Sequence, residues 1–267
     1  MSSARRSSAA PLAAYVLHSW DWSESSLIVE LFTRERGRVV VAAKGAKRPY
    51  SQLRPVLVPF QRLTVTLGRT PADEASEVHL LRHAERAEGP PMPAGAALFA
   101  GFYLNELLLK LLARHDAHAT LFDAYADAVA ALQGADEGAT QLTLRSFELL
   151  LLRQLGVLPE LDSVTLTVQA LAPAGRYTLH AESGVVPATG PDTGVPGLAL
   201  QALEAALAAG HGPALRAAAA PVAAALRAPL REVLHYHLGS PTLRTRQVLQ
   251  DVRRLIDREI QRETQRP

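Results

Sequence analysis

SLIVELFTRERGRVVVAA, Ser26 to Ala43, is the stretch that decides the fold. Period-2 patterning runs through SLIVELF (Ser26–Phe32) and resumes in RVVVAA (Arg38–Ala43), as in strands that bury one face. Between them, Arg36-Gly37 supplies a turn. Working outward, Leu63, Val65 and Leu67 alternate with Arg62, Thr64 and Thr66 to give a third strand. YVLHS around Tyr15 and EVHLLRH from Glu77 to His83 add two more. Five short strands predict a small barrel, with apolar alternates inside and the charged positions outside or in loops.

Charge concentrates on the same segment. From Arg34 to Arg69 there are nine bases (Arg34, Arg36, Arg38, Lys44, Lys47, Arg48, Arg54, Arg62, Arg69) against one acid, Glu35, although the whole chain carries only +2. A cationic stretch on an otherwise mildly acidic protein suits a polyphosphate ligand, and such a barrel is expected to present it on one accessible surface. The OB-fold is the five-stranded barrel that binds single strands through a strand face and its loops, pairing a basic groove with stacking aromatics. The only two tryptophans, Trp20 and Trp22, flank Asp21 in the polar connection between the first two strands, and Tyr50 lies inside the basic loop KGAKRPYSQLR. All three are candidate base-stacking residues, with a lid over the barrel core as the tryptophans' alternative role.

After Arg82 the composition shifts. A Gly/Pro-rich joint, EGPPMPAG (Glu88–Gly95), precedes alanine- and leucine-rich sequence with helical spacing in Leu98–Ala113, Ala117–Leu132 and Thr140–Leu155. The expected organisation is a disordered leader over 1–10, an OB-fold nucleic-acid-binding domain over 11–87, and a helical domain over 88–267. Asn105-Glu106 sits within an apolar helix, where an unpartnered carboxylate is costly, so Glu106 is expected to cap, pair or reach solvent. Gly197–Leu238 reads as short helices broken at Gly210-His211-Gly212, Pro221 and Pro229. Beyond them, the arginine-rich Leu243–Ile260 is either a salt-bridged surface helix or a second DNA contact.

Three segments together resemble the RecO family of bacterial recombinational repair proteins: YVLHSWDWSESSLIVELFTRERGRVVVAAKGAKR (Tyr15–Arg48), the helix LFAGFYLNELLLKLL, and LRSFELLLLRQLG (Leu144–Gly156). The resemblance implies a barrel that binds single- and double-stranded DNA and anneals complementary strands. It also implies partnership with RecR and with the single-strand-binding protein in loading recombinase. An acidic, apolar tail of the single-strand-binding protein would dock on the helical domain at Arg145, assisted by Lys110 and Arg114, with Phe147 in the pocket wall; a guanidinium suits bidentate capture of a carboxylate. Many family members hold zinc through paired cysteines after this helix. Here the chain runs GVLPELDSVTLTVQALAPAGRYTLHAESGVVPA and has no cysteine, while His180, Glu182 and Asp162 are too few and too scattered for a tetrahedral site. No metal or other cofactor is expected, and residues 160–190 are expected to form a metal-free hairpin insert.

Enzyme chemistry finds no foothold. Asp73, Glu74 and Glu77 lie in a polar turn without a second carboxylate group, and Gly37, Gly45 and Gly68 do not form a phosphate loop. The sequence lacks a continuous apolar leader or membrane span, so a cytoplasmic, nucleoid-associated protein is expected. A protein adaptor whose basic barrel takes an acidic partner, or a non-specific RNA-binding module, is the alternative to a DNA-binding mediator.

Overall fold

The computed structural model describes residues 10–68, 78–190, 193–210, 212–239, 243–245 and 247–248. Its architecture is α+β, as the sequence patterns indicate. The chain divides into two compact units that interleave along the sequence: residues 1–92 with 112–133, and residues 93–111 with 134–267.

The first unit is built on strands β1 (Leu12–Asp21), β2 (Leu27–Thr33), β3 (Gly37–Ala43), β4 (Arg62–Leu67) and β5 (Val78–Arg86). They close in the order β1-β2-β3-β5-β4, with β3 and β5 parallel and the other pairs antiparallel. One set of alternates fills the interior: Leu12, Ala14 and Val16, Val29 and Leu31, Val39, Val41 and Ala43, Leu63, Val65 and Leu67, then Leu81 and Ala84. The other set is not uniformly wet. Tyr15 and Phe32 are buried against helix α2 (Ala119–Ala131), with ring centroids 5.0–6.1 Å from Phe122 and Tyr125.

The segment before α2 runs along β3. His115 donates its backbone N–H to the Arg38 carbonyl at 2.9 Å, while Arg38 Nη1 donates to the Leu112 carbonyl at 2.5 Å. Gly37 makes this approach possible: its φ is +64°, and a Cβ there would lie 1.7 Å from the Asp116 carbonyl oxygen. Under this cover, buried Glu30 accepts from Arg38 Nε at 2.9 Å and from Arg38 Nη2, and Arg114 Nε lies 3.4 Å from the same carboxylate.

The second unit contains α1 (Ala96–Leu111), α3 (Glu137–Gln154), α4 (Gly197–Ala209), α5 (Gly212–Ala219) and α6 (Ala223–Leu238), with α1, α4, α5 and α6 all packing on α3. Asp136 caps α3 by accepting the Ala139 N–H at 2.7 Å. Glu106 resolves its position in an apolar helix by capping. Its carboxylate accepts the backbone N–H groups of Arg244 and Thr245 at 2.8 and 2.9 Å, and the Thr245 hydroxyl at 2.6 Å. Burial acts to raise its pKa, but the Thr245 and Arg244 hydrogen bonds outweigh that effect and hold it below the usual value.

One detail departs from the sequence reading. Pro229 does not break a helix, because α6 runs through it with Leu226, Leu230, Val233 and Leu234 buried. The carbonyl four residues earlier loses its intrahelical donor to proline, but it belongs to exposed Ala225, where water can replace that bond. The insert is two small sheets: β6 (Ser163–Val164) with β7 (Gln169–Ala170), and β8 (Arg176–His180) between β9 (Gly184–Pro187) and β10 (Val195–Pro196). Among the described residues no cluster of three or more His, Cys, Asp or Glu side chains could hold a metal ion, and no helix is long and apolar enough to cross a membrane.

Candidate nucleic-acid interface

Two loops meet at one end of the barrel, the β1–β2 connection and the longer β3–β4 connection that begins at Lys44. The first is a tight turn in which Trp22 N–H donates to the Ser26 carbonyl at 3.2 Å. The second is fastened to it mainly by Lys47. Its backbone N–H donates to the Ser25 carbonyl at 3.0 Å, and its ammonium reaches the Ser23 carbonyl at 3.1 Å and the Asp21 carboxylate at 2.9 Å. Between the loops lies a cleft of about 340 Å³ bounded by Trp22, Ser23, Ser25, Ser26, Lys44, Gly45 and Arg48. Lys44 and Arg48 are solvent-exposed. An aromatic edge, two cations and three hydroxyl-bearing side chains around a volume of small-molecule size can engage an anionic, partly aromatic ligand.

The cationic run of the sequence is not one surface. Antiparallel β2 and β3 separate their two ends by about 20 Å. Lys44, Lys47 and Arg48 belong to the cleft end, and Tyr50 and Arg54 follow in the same β3–β4 connection, with Tyr50 the most exposed aromatic at 95 %. Arg34 and Arg36 occupy the opposite β2–β3 turn, where Arg34 forms a two-point ion pair with Asp123 at 2.9 Å. Arg38 faces outward but is buried on Glu30, so it adds nothing to the solvent-facing charge. Arg62 is half-buried on β4, alongside Tyr15 of β1. Arg69 lies outside the described residues, as do Asp73, Glu74, Glu77 and most of the arginine-rich Leu243–Ile260. The sequence reading missed Lys47 as a staple, the only hint being the acid Asp21 between the tryptophans.

In the helical unit Arg145 is only 8 % exposed. Its Nη2 lies 2.8 Å from Glu148, one α3 turn away, and the same carboxylate oxygen accepts the Tyr103 hydroxyl at 2.6 Å. Among the described residues, the buried Arg145 Nε has no hydrogen-bond partner. Phe147 is buried, and Lys110 pairs with Glu106 at 3.3 Å. Arg114 belongs to the barrel unit, where it approaches Glu30.

Fold and cleft together define the class as an OB-fold protein with a cationic, tryptophan-edged cleft between its loops and a helical second unit. Residues 11–83 match the family model "Recombination protein O N terminal", and residues 92–247 match "Recombination protein O C terminal". The chain is 52 % identical over 255 residues to the DNA repair protein RecO of Acidovorax ebreus (strain TPSY), covering 91 % of this chain and 96 % of that one. With the DNA repair protein RecO of Delftia acidovorans (strain DSM 14801 / SPH-1) it shares 51 % identity over 259 residues, covering 96 % and 100 %. The chain belongs to the RecO family of DNA repair and recombination proteins.

Proposed function

We propose that the chain binds DNA at the loop end of its barrel, anneals complementary strands, and helps load recombinase onto DNA coated with single-strand-binding protein. The observation that carries this reading is the cleft in which Lys44 and Arg48 stand with Trp22. Exposed cations engage phosphates regardless of sequence, which suits a protein that must act on any strand. By neutralising one strand they lower the repulsion felt by a second, so annealing proceeds without nucleotide hydrolysis or a metal. RecR is the proposed second protein partner.

The direct test reverses Lys44, Arg48 and Arg54 to Glu together in the full chain and measures oligonucleotide binding and annealing. Both should fall by at least about tenfold, as expected for losing several phosphate contacts. Unchanged affinity would remove the loop end from the reading, and a wild-type chain that ignored oligonucleotides would favour the adaptor alternative.

For the acidic tail of the single-strand-binding protein, Arg145 remains the proposed receptor, because a planar guanidinium suits bidentate capture of a carboxylate. Lys110 on α1 is its proposed neighbour in the same unit. Arg145→Lys retains a positive charge for Glu148 but loses the planar fork, so it should weaken binding of a tail peptide while the chain stays folded. Equal peptide affinity would exclude Arg145.

A further inference from the structure

We infer that the cleft between the two loops holds a single unpaired nucleotide and that Trp22, rather than Trp20, stacks on its base. This rests on the DNA-binding reading and deepens it.

The two tryptophans are two residues apart, yet their surroundings differ. Trp20 lies within β1, registered opposite Ile28, and its ring meets His18 edge-on at 4.5 Å and 75°. Trp22 is the first residue beyond the strand. It is 56 % exposed against 43 % for Trp20, and it alone of the pair lines the cleft. Cations stand at the cleft too: Lys44 follows β3 directly, and Arg48 comes back beside Gly45 through the turn closed by its N–H on the Gly45 carbonyl at 3.1 Å. Gly45 has a φ of +74°, so a glycine suits this turn.

Size and rigidity decide the ligand. About 340 Å³ lies at the lower end of small-molecule sites, room for one nucleotide and not a paired step. The Lys47 staple to Asp21, Ser23 and Ser25 fixes both walls before any ligand arrives. A base inside a duplex has both faces stacked and must be flipped out to reach an aromatic wall, at a cost of about a few kcal/mol. A single strand offers its bases without that penalty. Duplex DNA would therefore meet only the cations, and the preference for single strands would reside in Trp22. Because one nucleotide is anchored while its neighbours remain free, the held strand can still pair.

Since the chain contains only two tryptophans, each can be observed alone. In the full chain, Trp20→Phe leaves Trp22 as the only indole, and Trp22→Phe leaves Trp20. Titration with an oligothymidylate should quench the fluorescence of the first variant and leave the second nearly unchanged. Trp22→Ala should reduce the ratio of single-strand to duplex affinity on the order of 5- to 100-fold, with Trp22→Phe recovering much of it. Quenching that follows Trp20, or an unchanged affinity ratio in Trp22→Ala, would overturn the inference while leaving DNA binding intact. A wild-type chain that bound neither oligonucleotide would instead remove the DNA-binding reading itself.

Discussion

Glu30 sits on the outward side of β2, where strand alternation in SLIVELF would leave a carboxylate in water, yet it is almost fully buried between Arg38 and Arg114. Alternation identifies the face of the barrel a residue occupies, but not what covers that face. Here the cover is a segment some eighty residues further along the chain, and no local pattern announces it. For the same reason Arg38 counts as surface charge in the sequence and as buried charge in the fold. Glu30→Ala leaves Arg38 buried without its carboxylate and should cost about 3–5 kcal/mol, measurable by urea denaturation. A loss below about 1 kcal/mol would mean that the pair is solvated. His79 offers a pH signature from the same region. Its ring is buried, with His115 5.6 Å away, and its pKa lies below the ordinary 6.5, chiefly because burial disfavours the cation, with His115 and Arg36 adding to the effect. The unfolded chain therefore binds a proton that the folded chain refuses, so stability should fall as pH drops below about 6.5 and level off above it. His79→Leu should flatten that dependence in thermal melts between pH 5 and pH 7.5 (roughly one unit either side of an ordinary imidazole); an identical slope would assign the effect to other groups.

Among the elements, the five strands were legible because each carries a full stretch of alternating residues. The helices were legible from apolar residues at helical spacing. What α2 packs against was not. Its buried residues, Leu121, Phe122, Tyr125, Ala128 and Val129, specify an amphipathic helix but not the surface it covers. The answer lies in Tyr15 and Phe32, two large aromatics on the outer alternates of the barrel, and it places α2 in the barrel unit. Phe122→Ala removes a fully buried ring from that cluster and should cost about 3–5 kcal/mol. The loss should appear as weakened amide protection in β1 and β2 by hydrogen exchange. Protection lost only around α3 would contradict the packing. The cleft was half legible: KGAKRPY and SWDWSESS each look like polar loops, but only closure of the barrel brings them together, with Trp22 and not Trp20 lining the space between them.

Across the whole molecule, the +8 stretch of sequence becomes two cationic ends of one barrel, and they should not contribute equally to DNA binding. Lys44 and Arg48 at the cleft and Arg54 in the same connection are exposed, whereas Arg34 at the far turn already faces Asp123. If about three phosphates are neutralised, the logarithm of single-strand affinity should fall with the logarithm of salt at a slope near −2. Replacing Arg34 and Arg36 by Ala should leave that slope nearly unchanged, and a large drop would put the far turn in the binding surface. The interleaving of the units bears on how the protein is made. The barrel's last strand ends at Arg86, but its unit is completed only by residues 112–133. A ribosome adding about 5–20 residues per second would leave the nascent barrel for roughly 2–9 s with Tyr15, Phe32 and Glu30 uncovered. During that interval the newborn chain presents aromatic rings where the finished protein has a helix, and an uncovered Glu30–Arg38 ion pair. A translational pause after the strands but before α2 has emerged from the ribosome would lengthen the time the barrel is open to aggregation, whereas one after α2 has emerged would allow it to close first.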